Sequence, residues 1–179
     1  PSESPITAAK EHNGNLIIFT LEETWYYQPS RGFVATTGRL VKLAEGVGCL
    51  SDSSVVTAGN ALVWMGPKGV YSIGGKLEIQ ELSEPIEPFF NDFISNPVTN
   101  YFVSSGELTA PIPDQTAAIV RLVGGVKAAY SQRLNAVIFS IPERNAMLYY
   151  GNGRWSLWST ETMVTTAHPA VVGETNNIK

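Results

Sequence analysis

Three stretches of this chain repeat one pattern, and a chain built of repeats has few folds open to it. The first runs from Ile6 to Tyr27 (ITAAKEHNGNLIIFTLEETWYY), the second from Val56 to Ser72 (VTAGNALVWMGPKGVYS) and the third from Val126 to Tyr150 (VKAAYSQRLNAVIFSIPERNAMLYY). Each opens with a short strand of small residues: Ile6-Thr7-Ala8-Ala9, Val56-Thr57-Ala58-Gly59 and Val126-Lys127-Ala128-Ala129. A turn rich in Asn or Gly follows. An apolar strand comes next: Leu16-Ile17-Ile18-Phe19, Ala61-Leu62-Val63-Trp64 and Ala136-Val137-Ile138-Phe139. A second turn leads to an aromatic strand: Trp25-Tyr26-Tyr27, Gly69-Val70-Tyr71-Ser72 and Met147-Leu148-Tyr149-Tyr150.

A fourth unit begins at Met163-Val164-Thr165-Thr166-Ala167, with Val164 38 residues after Val126. That spacing is close to the ~40–45 residues of a four-stranded propeller blade. From Ile6 to Val56 the spacing is 50, and from Val56 to Val126 it is 70, so the second unit carries an insertion. Asn13-Gly14, Gly66-Pro67-Lys68-Gly69, Gly74-Gly75 and Asn152-Gly153 are hairpin punctuation. Short β-branched or aromatic runs between such turns indicate a propeller or barrel.

The pattern therefore predicts an all-β chain, a β-propeller-like array of antiparallel four-stranded blades. A single partial propeller over 1–179 would have blades at about 6–50, 51–120 and 121–162, and the start of a further blade at 163–179. One such sheet cannot bury both faces alone, so neighbours must cover it. About three and a half blades do not close a ring. The chain also lacks an initiating Met and stops at Asn176-Asn177-Ile178-Lys179. A fragment of a longer chain, a processed chain, or closure by other subunits is expected.

The insertion covers 84–118. Ile86, Phe89, Phe90, Phe93 and Ile94 have helical spacing, which predicts a short helix from Pro88 to Ile94 packed on the blade edge. Pro88 is tolerated there only in the first turn. The stretch from Gly106 to Gln115 reads as an extended loop. Its residues Glu107, Leu108, Pro111, Pro113 and Asp114 are a candidate partner contact, or a plain surface connection.

The functional classes narrow by exclusion. Charged residues are 16% of the chain and the net charge is −4, against a typical charged share of about 25%. No Lys/Arg cluster is present, and a surface that grips DNA needs many phosphate-neutralising cations. The single cysteine, Cys49, cannot form an internal disulfide or a thiolate metal cluster, and reads as a small buried hydrophobe. His12 and His168 are isolated beside turns, which suits solvated or structural roles better than metal ligation. No run approaches the ~18 apolar residues of a membrane span, and the first residues lack the basic and apolar regions of a signal peptide.

Catalytic patterns are equally sparse. Ser51-Asp52-Ser53-Ser54 lacks the nucleophile elbow. Gly46-Val47-Gly48 lacks the third glycine of a dinucleotide fingerprint. Glu22 and Glu23 are adjacent in a hairpin turn and need not converge, while Glu78, Glu81, Glu84 and Glu87 look like a solvated face. A glycosidase needs two carboxyls held about 5–10 Å apart, which no spacing here indicates. The expectation is a protein without enzymatic activity, cofactor or metal.

The aromatics allow two readings. Trp25, Tyr27 and Trp158 could form a surface on which sugars stack, or they could pack between blades. Trp155 and Trp158 are three apart and so lie on opposite faces of a strand, one entering the core and the other at an edge.

Gly48-Cys49-Leu50-Ser51 through Ser54, then Gly59-Asn60-Ala61-Leu62-Val63-Trp64-Met65-Gly66, Gly69-Val70-Tyr71 and Leu82-Ser83-Glu84-Pro85-Ile86 form a recognisable succession. With Leu134-Asn135-Ala136-Val137-Ile138-Phe139 and Gly151-Asn152-Gly153-Arg154-Trp155-Ser156-Leu157-Trp158, it resembles the tail-hub or packaged-DNA stabilisation proteins of short-tailed bacteriophages, the nozzle-type β-propellers. The resemblance extends from Ile6 to Thr166. Lys68 stands where that family often has an Asp before the turn glycine. The resemblance implies a structural virion protein of the tail or neck, assembled in the host cytoplasm. It implies a homo-oligomeric ring in contact with other tail or connector proteins, with DNA only as passing cargo. A carbohydrate- or receptor-binding propeller for host adhesion is the alternative.

Overall fold

Short apolar runs set between tight turns leave each strand only its sequence neighbour as a nearby partner. A computed structural model describes residues 4–28, 38–90, 126–141 and 146–159. In it, β1 (Ile6–His12), β2 (Asn15–Thr20), β3 (Glu23–Gln28) and β4 (Arg39–Glu45) form sheet 1. Sheet 2 holds β5 (Val55–Ala58), β6 (Ala61–Met65), β7 (Val70–Ile73) and β8 (Ile79–Glu81). Sheet 3 holds β9 (Lys127–Ser131), β10 (Ala136–Ile141), β11 (Ala146–Gly151) and β12 (Arg154–Ser159). All pairs are antiparallel and each sheet is a meander in chain order. The fold is mostly β, with the expected four-stranded antiparallel units.

Asn13 and Gly14 have φ of 50° and 76°, and Asn152 and Gly153 have 52° and 72°. Positive φ at both central residues marks the turn whose twist matches paired strands. The β7–β8 connection departs from expectation. Its left-handed residue is Leu77, at φ 58°, and neither Gly74 nor Gly75 has a positive φ. The Leu77 N–H bonds to the Gly74 carbonyl at 3.1 Å, and its side chain packs on the core between sheets 1 and 2. That burial offsets the roughly 1–2 kcal/mol cost of a left-handed leucine.

Sheet 2 lies between the other two. Leu62, Trp64, Tyr71 and Ile73 on one face pack with Ala8, Ile17 and Phe19 of sheet 1. Val63, Met65 and Val70 on the other face pack with Val137, Phe139, Ile141 and Leu148 of sheet 3. A strand covered on both sides needs no polar alternation, which is why β6 reads ALVWM without a break. Trp64 touches Phe19 and Tyr71 with ring centroids 5.0 and 6.0 Å apart. Each fully buried side chain of this size contributes about 1.5–3 kcal/mol. The fourth strands, β4, β8 and β12, are the most exposed of their sheets.

Helical structure in the insertion starts earlier than predicted. A 3-10 turn over Glu84–Ile86 precedes a helical turn over 87–90. Pro85 occupies the first helical positions, where its fixed φ suits a helix and its missing N–H costs nothing. Pro88 still falls in the first turn of the segment that follows. Phe90 is buried in the core between sheets 2 and 3, with Ile86 and Phe89 packed partly against it. Phe93, Ile94, the loop residues Glu107, Leu108, Pro111, Pro113 and Asp114, and the unit from Met163 onward lie outside the described residues.

Candidate functional site

The connector between sheets 1 and 2 carries the residues that the sequence marks as chemically suggestive. Its Cys49 N–H bonds to the Thr20 carbonyl of β2 at 2.8 Å, and its Leu50 N–H bonds to the Met65 carbonyl of β6 at 3.0 Å. The connector is thus pinned to both sheets. Thr24 Oγ1 donates to the Val47 carbonyl at 2.7 Å, and Thr7 Oγ1 donates to the Cys49 carbonyl at 2.8 Å. A Cβ on Gly48 would strike the Leu21 backbone, and one on Gly66 would strike the Gly48 carbonyl. Gly48 therefore serves close approach of backbones, not the cradling of phosphate.

The serine cluster ties the connector to sheet 3. Ser54 is fully buried; its Oγ donates to the Ser51 carbonyl at 2.8 Å and accepts from the Ser51 N–H at 3.2 Å. Ser53 Oγ donates to the Val126 carbonyl at 2.7 Å, where the chain enters sheet 3. Cys49 Sγ lies 3.3 Å from Ser54 Oγ. Burial pushes the Cys49 thiol up to about 11, against smaller lowering effects of Ser54 and Ser51. A thiol so held is protonated at neutral pH and is a poor nucleophile.

His12 is buried, with Nε2 3.3 Å from the Gly74 carbonyl and 3.0 Å from Asn13 Nδ2. It closes the seam between sheets 1 and 2. Glu22 is exposed, whereas Glu23 accepts from Trp25 Nε1 at 3.1 Å and from Lys42 Nζ at 2.6 Å. Glu78, Glu81, Glu84 and Glu87 are all exposed. Among the described residues there is no group of three or more His, Cys, Asp or Glu placed to hold a metal, and no helix long and apolar enough to cross a membrane. His168 lies outside the described residues.

Trp25, Tyr27 and Trp158 do not form one surface. Register places Trp25 and Tyr27 with Leu16, Ile18, Leu40 and Lys42 on the face of sheet 1 turned away from sheet 2. Lys42 Nζ sits 5.0 Å from the Trp25 ring centroid, an arrangement that favours the cation over the ring face. Trp158 is on the face of sheet 3 turned away from sheet 2, stacked on Tyr149 at 5.7 Å and 15°. Sheet 2 separates the two groups. Trp155 points the other way, as its spacing predicts, and its Nε1 donates to the Leu82 carbonyl at 2.7 Å.

Sheet 1 therefore presents outward apolar side chains, Leu16 at 40% and Leu40 at 51% exposed; on sheet 3 the exposed outward residue is Trp158, at 45%, while Ile138 and Ala129 on the same face are buried. The unbroken run Leu16–Phe19 conceals this, because it shows no alternation from which to tell the inner face from the outer. Compared with protein-family models and with curated proteins, the sequence finds no match.

Proposed function

We propose that the chain is a run of β-propeller blades serving assembly rather than catalysis. Following its resemblance, we assign it to the ring-forming part of a phage head-to-tail connector or tail nozzle, where it stabilises packaged DNA and lines part of the exit channel. The observation that carries this reading is the directional stack of three meanders, with exposed apolar side chains on the outward face of sheet 1 and at the last strand of sheet 3. Sheet 2 illustrates what covers such a face: another four-stranded meander, at the roughly 10 Å spacing of packed sheets.

The inner-to-outer order also favours blades. Strand β5 lies against β9, and both β1 and β9 reach the Asp52–Ser54 turn, while the fourth strands are the most exposed. First strands that converge and last strands that diverge are the arrangement of a propeller. A neighbour that continues the stack on sheet 1 or sheet 3 makes a head-to-tail contact, which closes into a ring if the rotation allows. Net negative charge disfavours adhesion of passing DNA. A glycan-binding surface made jointly of Trp25, Tyr27 and Trp158 is disfavoured, since they sit on opposite sides of sheet 2.

Native mass spectrometry and sedimentation of the full chain test the proposal. A discrete cyclic oligomer, alone or with tail proteins, is expected. A monodisperse monomer with no affinity for itself or for other tail components overturns it.

A further inference from the structure

Packing between sheets 2 and 3 is tight at one end and open at the other. At the tight end Met65, Val70, Phe139, Ile141 and Phe90 are all buried. At the other end the facing residues of sheet 2 are Ala58, Ala61 and Ser72. Side chains this small cannot span the roughly 10 Å between stacked sheets. A half-open cleft of about 320 Å³ remains, walled on the sheet 3 side by Tyr130, Val137 and Tyr150.

The seam between sheets 1 and 2 provides an internal control. At the same level of sheet 2, but on its other face, stand Leu62 and Ile73, both fully buried. His12 bridges to the Gly74 carbonyl beside them. That seam is filled by large side chains, so an open end is not a general property of this stacking.

The cleft has a definite chemistry. Among the described residues, no charged side chain lines it. The side-chain polar groups of Ser72, Tyr150 and Asn152 make no hydrogen bond there. Tyr130 Oη donates to Asn135 Oδ1 at 2.9 Å, which leaves the Asn135 amide N–H₂ to donate outward. Two aromatic rings beside uncommitted amide and hydroxyl groups suit a ligand with apolar C–H faces and many neutral hydroxyls. An ionic ligand would find no counter-charge in the cleft.

We propose that this cleft binds a single neutral sugar residue, its ring against the tyrosines and its hydroxyls on Asn135, Asn152 and Ser72. The volume lies at the lower end of the roughly 300–1,000 Å³ of small-ligand sites, which limits the occupant to about one ring. The site is separate from the outward sheet faces and does not depend on the assembly reading.

Saturation-transfer NMR on the full chain tests it, with D-glucose, D-galactose, D-mannose and N-acetyl-D-glucosamine as probes and D-glucuronate as the charged comparison. Transfer to at least one neutral sugar is expected, reduced roughly fivefold or more by Ala61→Leu, which fills the cleft, or by Asn152→Gly. Asn152→Gly removes the amide and keeps a residue at ease with the turn's φ of 52°, so the test survives if Ala61→Leu misfolds. No transfer to any neutral sugar, stronger transfer to glucuronate, or transfer unchanged in the folded variants overturns the proposal. None of these failures bears on ring formation.

Discussion

The indole Nε1 of Trp64 donates a 3.1 Å hydrogen bond to the carbonyl of Gly48. Trp64 is at the centre of the core shared by sheets 1 and 2, and Gly48 is in the connector joining them. One side chain thus holds the hydrophobic seam and the chain's passage across it. Trp64→Phe keeps most of the ring and removes the donor, with an expected loss of about 1–3 kcal/mol. Gly48→Ala forces a Cβ onto the Leu21 backbone and should cost at least as much. Gly14→Ala, with nothing within 4 Å of the added Cβ, should cost only about 1–2 kcal/mol through its φ of 76°. Urea unfolding of the three variants checks the ranking.

Ser54→Ala leaves the buried Ser51 N–H without its 3.2 Å partner. A loss of about 1–3 kcal/mol is expected. Ser53→Ala breaks the part-buried bond to the Val126 carbonyl and the 2.9 Å bond to Ser51 Oγ and should cost about 1–2 kcal/mol. Hydrogen exchange on sheet 3 should rise in Ser53→Ala before that on sheet 1, since of its two bonds the one to Val126 leads to sheet 3 and the other stays within the connector.

Cys49 makes stability fall at alkaline pH. Its thiol titrates near 9.0 when unperturbed and is raised to about 11 in the folded chain. Between those values the unfolded chain has released a proton that the folded chain still holds. The contribution is complete below about 9 and is lost as pH rises through about 11, and amounts to about 2–3 kcal/mol. Tyr71, raised by desolvation and then by Glu81, adds a loss of the same sign above its ordinary 10.0. Unfolding free energies measured from pH 8 to 11 should slope downward, and less steeply in Cys49→Ala. A thiol reagent at pH 8 should label Cys49 only after urea is added.

Leu40→Lys and Trp158→Lys alter outward faces of sheets 1 and 3. Each should change monomer stability by roughly 1 kcal/mol or less while weakening self-association. Sedimentation velocity on the single and double variants reads the effect. An oligomer unchanged in all three would place the contact elsewhere.

Strand identity and meander order were legible in the residues themselves. Ile6–His12 with Asn15–Thr20, or Ala136–Ile141 with Ala146–Gly151, pair as sequence neighbours, and such pairing is decided by a short turn and a few side chains. The opposite fates of Trp155 and Trp158 follow from spacing alone. The start of the helical turn at Glu84 depended instead on Pro85 and on the room available to Phe90 beside the sheets. The left-handed residue at Leu77, where glycines stood nearby, depended on burial against sheet 2.

The sequence by itself determined which segments become strands and which strand meets which, because those choices are local and repeat with each unit. Only the tertiary structure decided which face of Leu16–Phe19 lies inward, which side of sheet 2 is plugged by Leu62 and Ile73, and which is left open by Ala58, Ala61 and Ser72. The reason is physical: an unbroken apolar run is compatible with either face inside. Packing between sheets joins residues far apart in the chain, whose fit is settled only when the sheets meet.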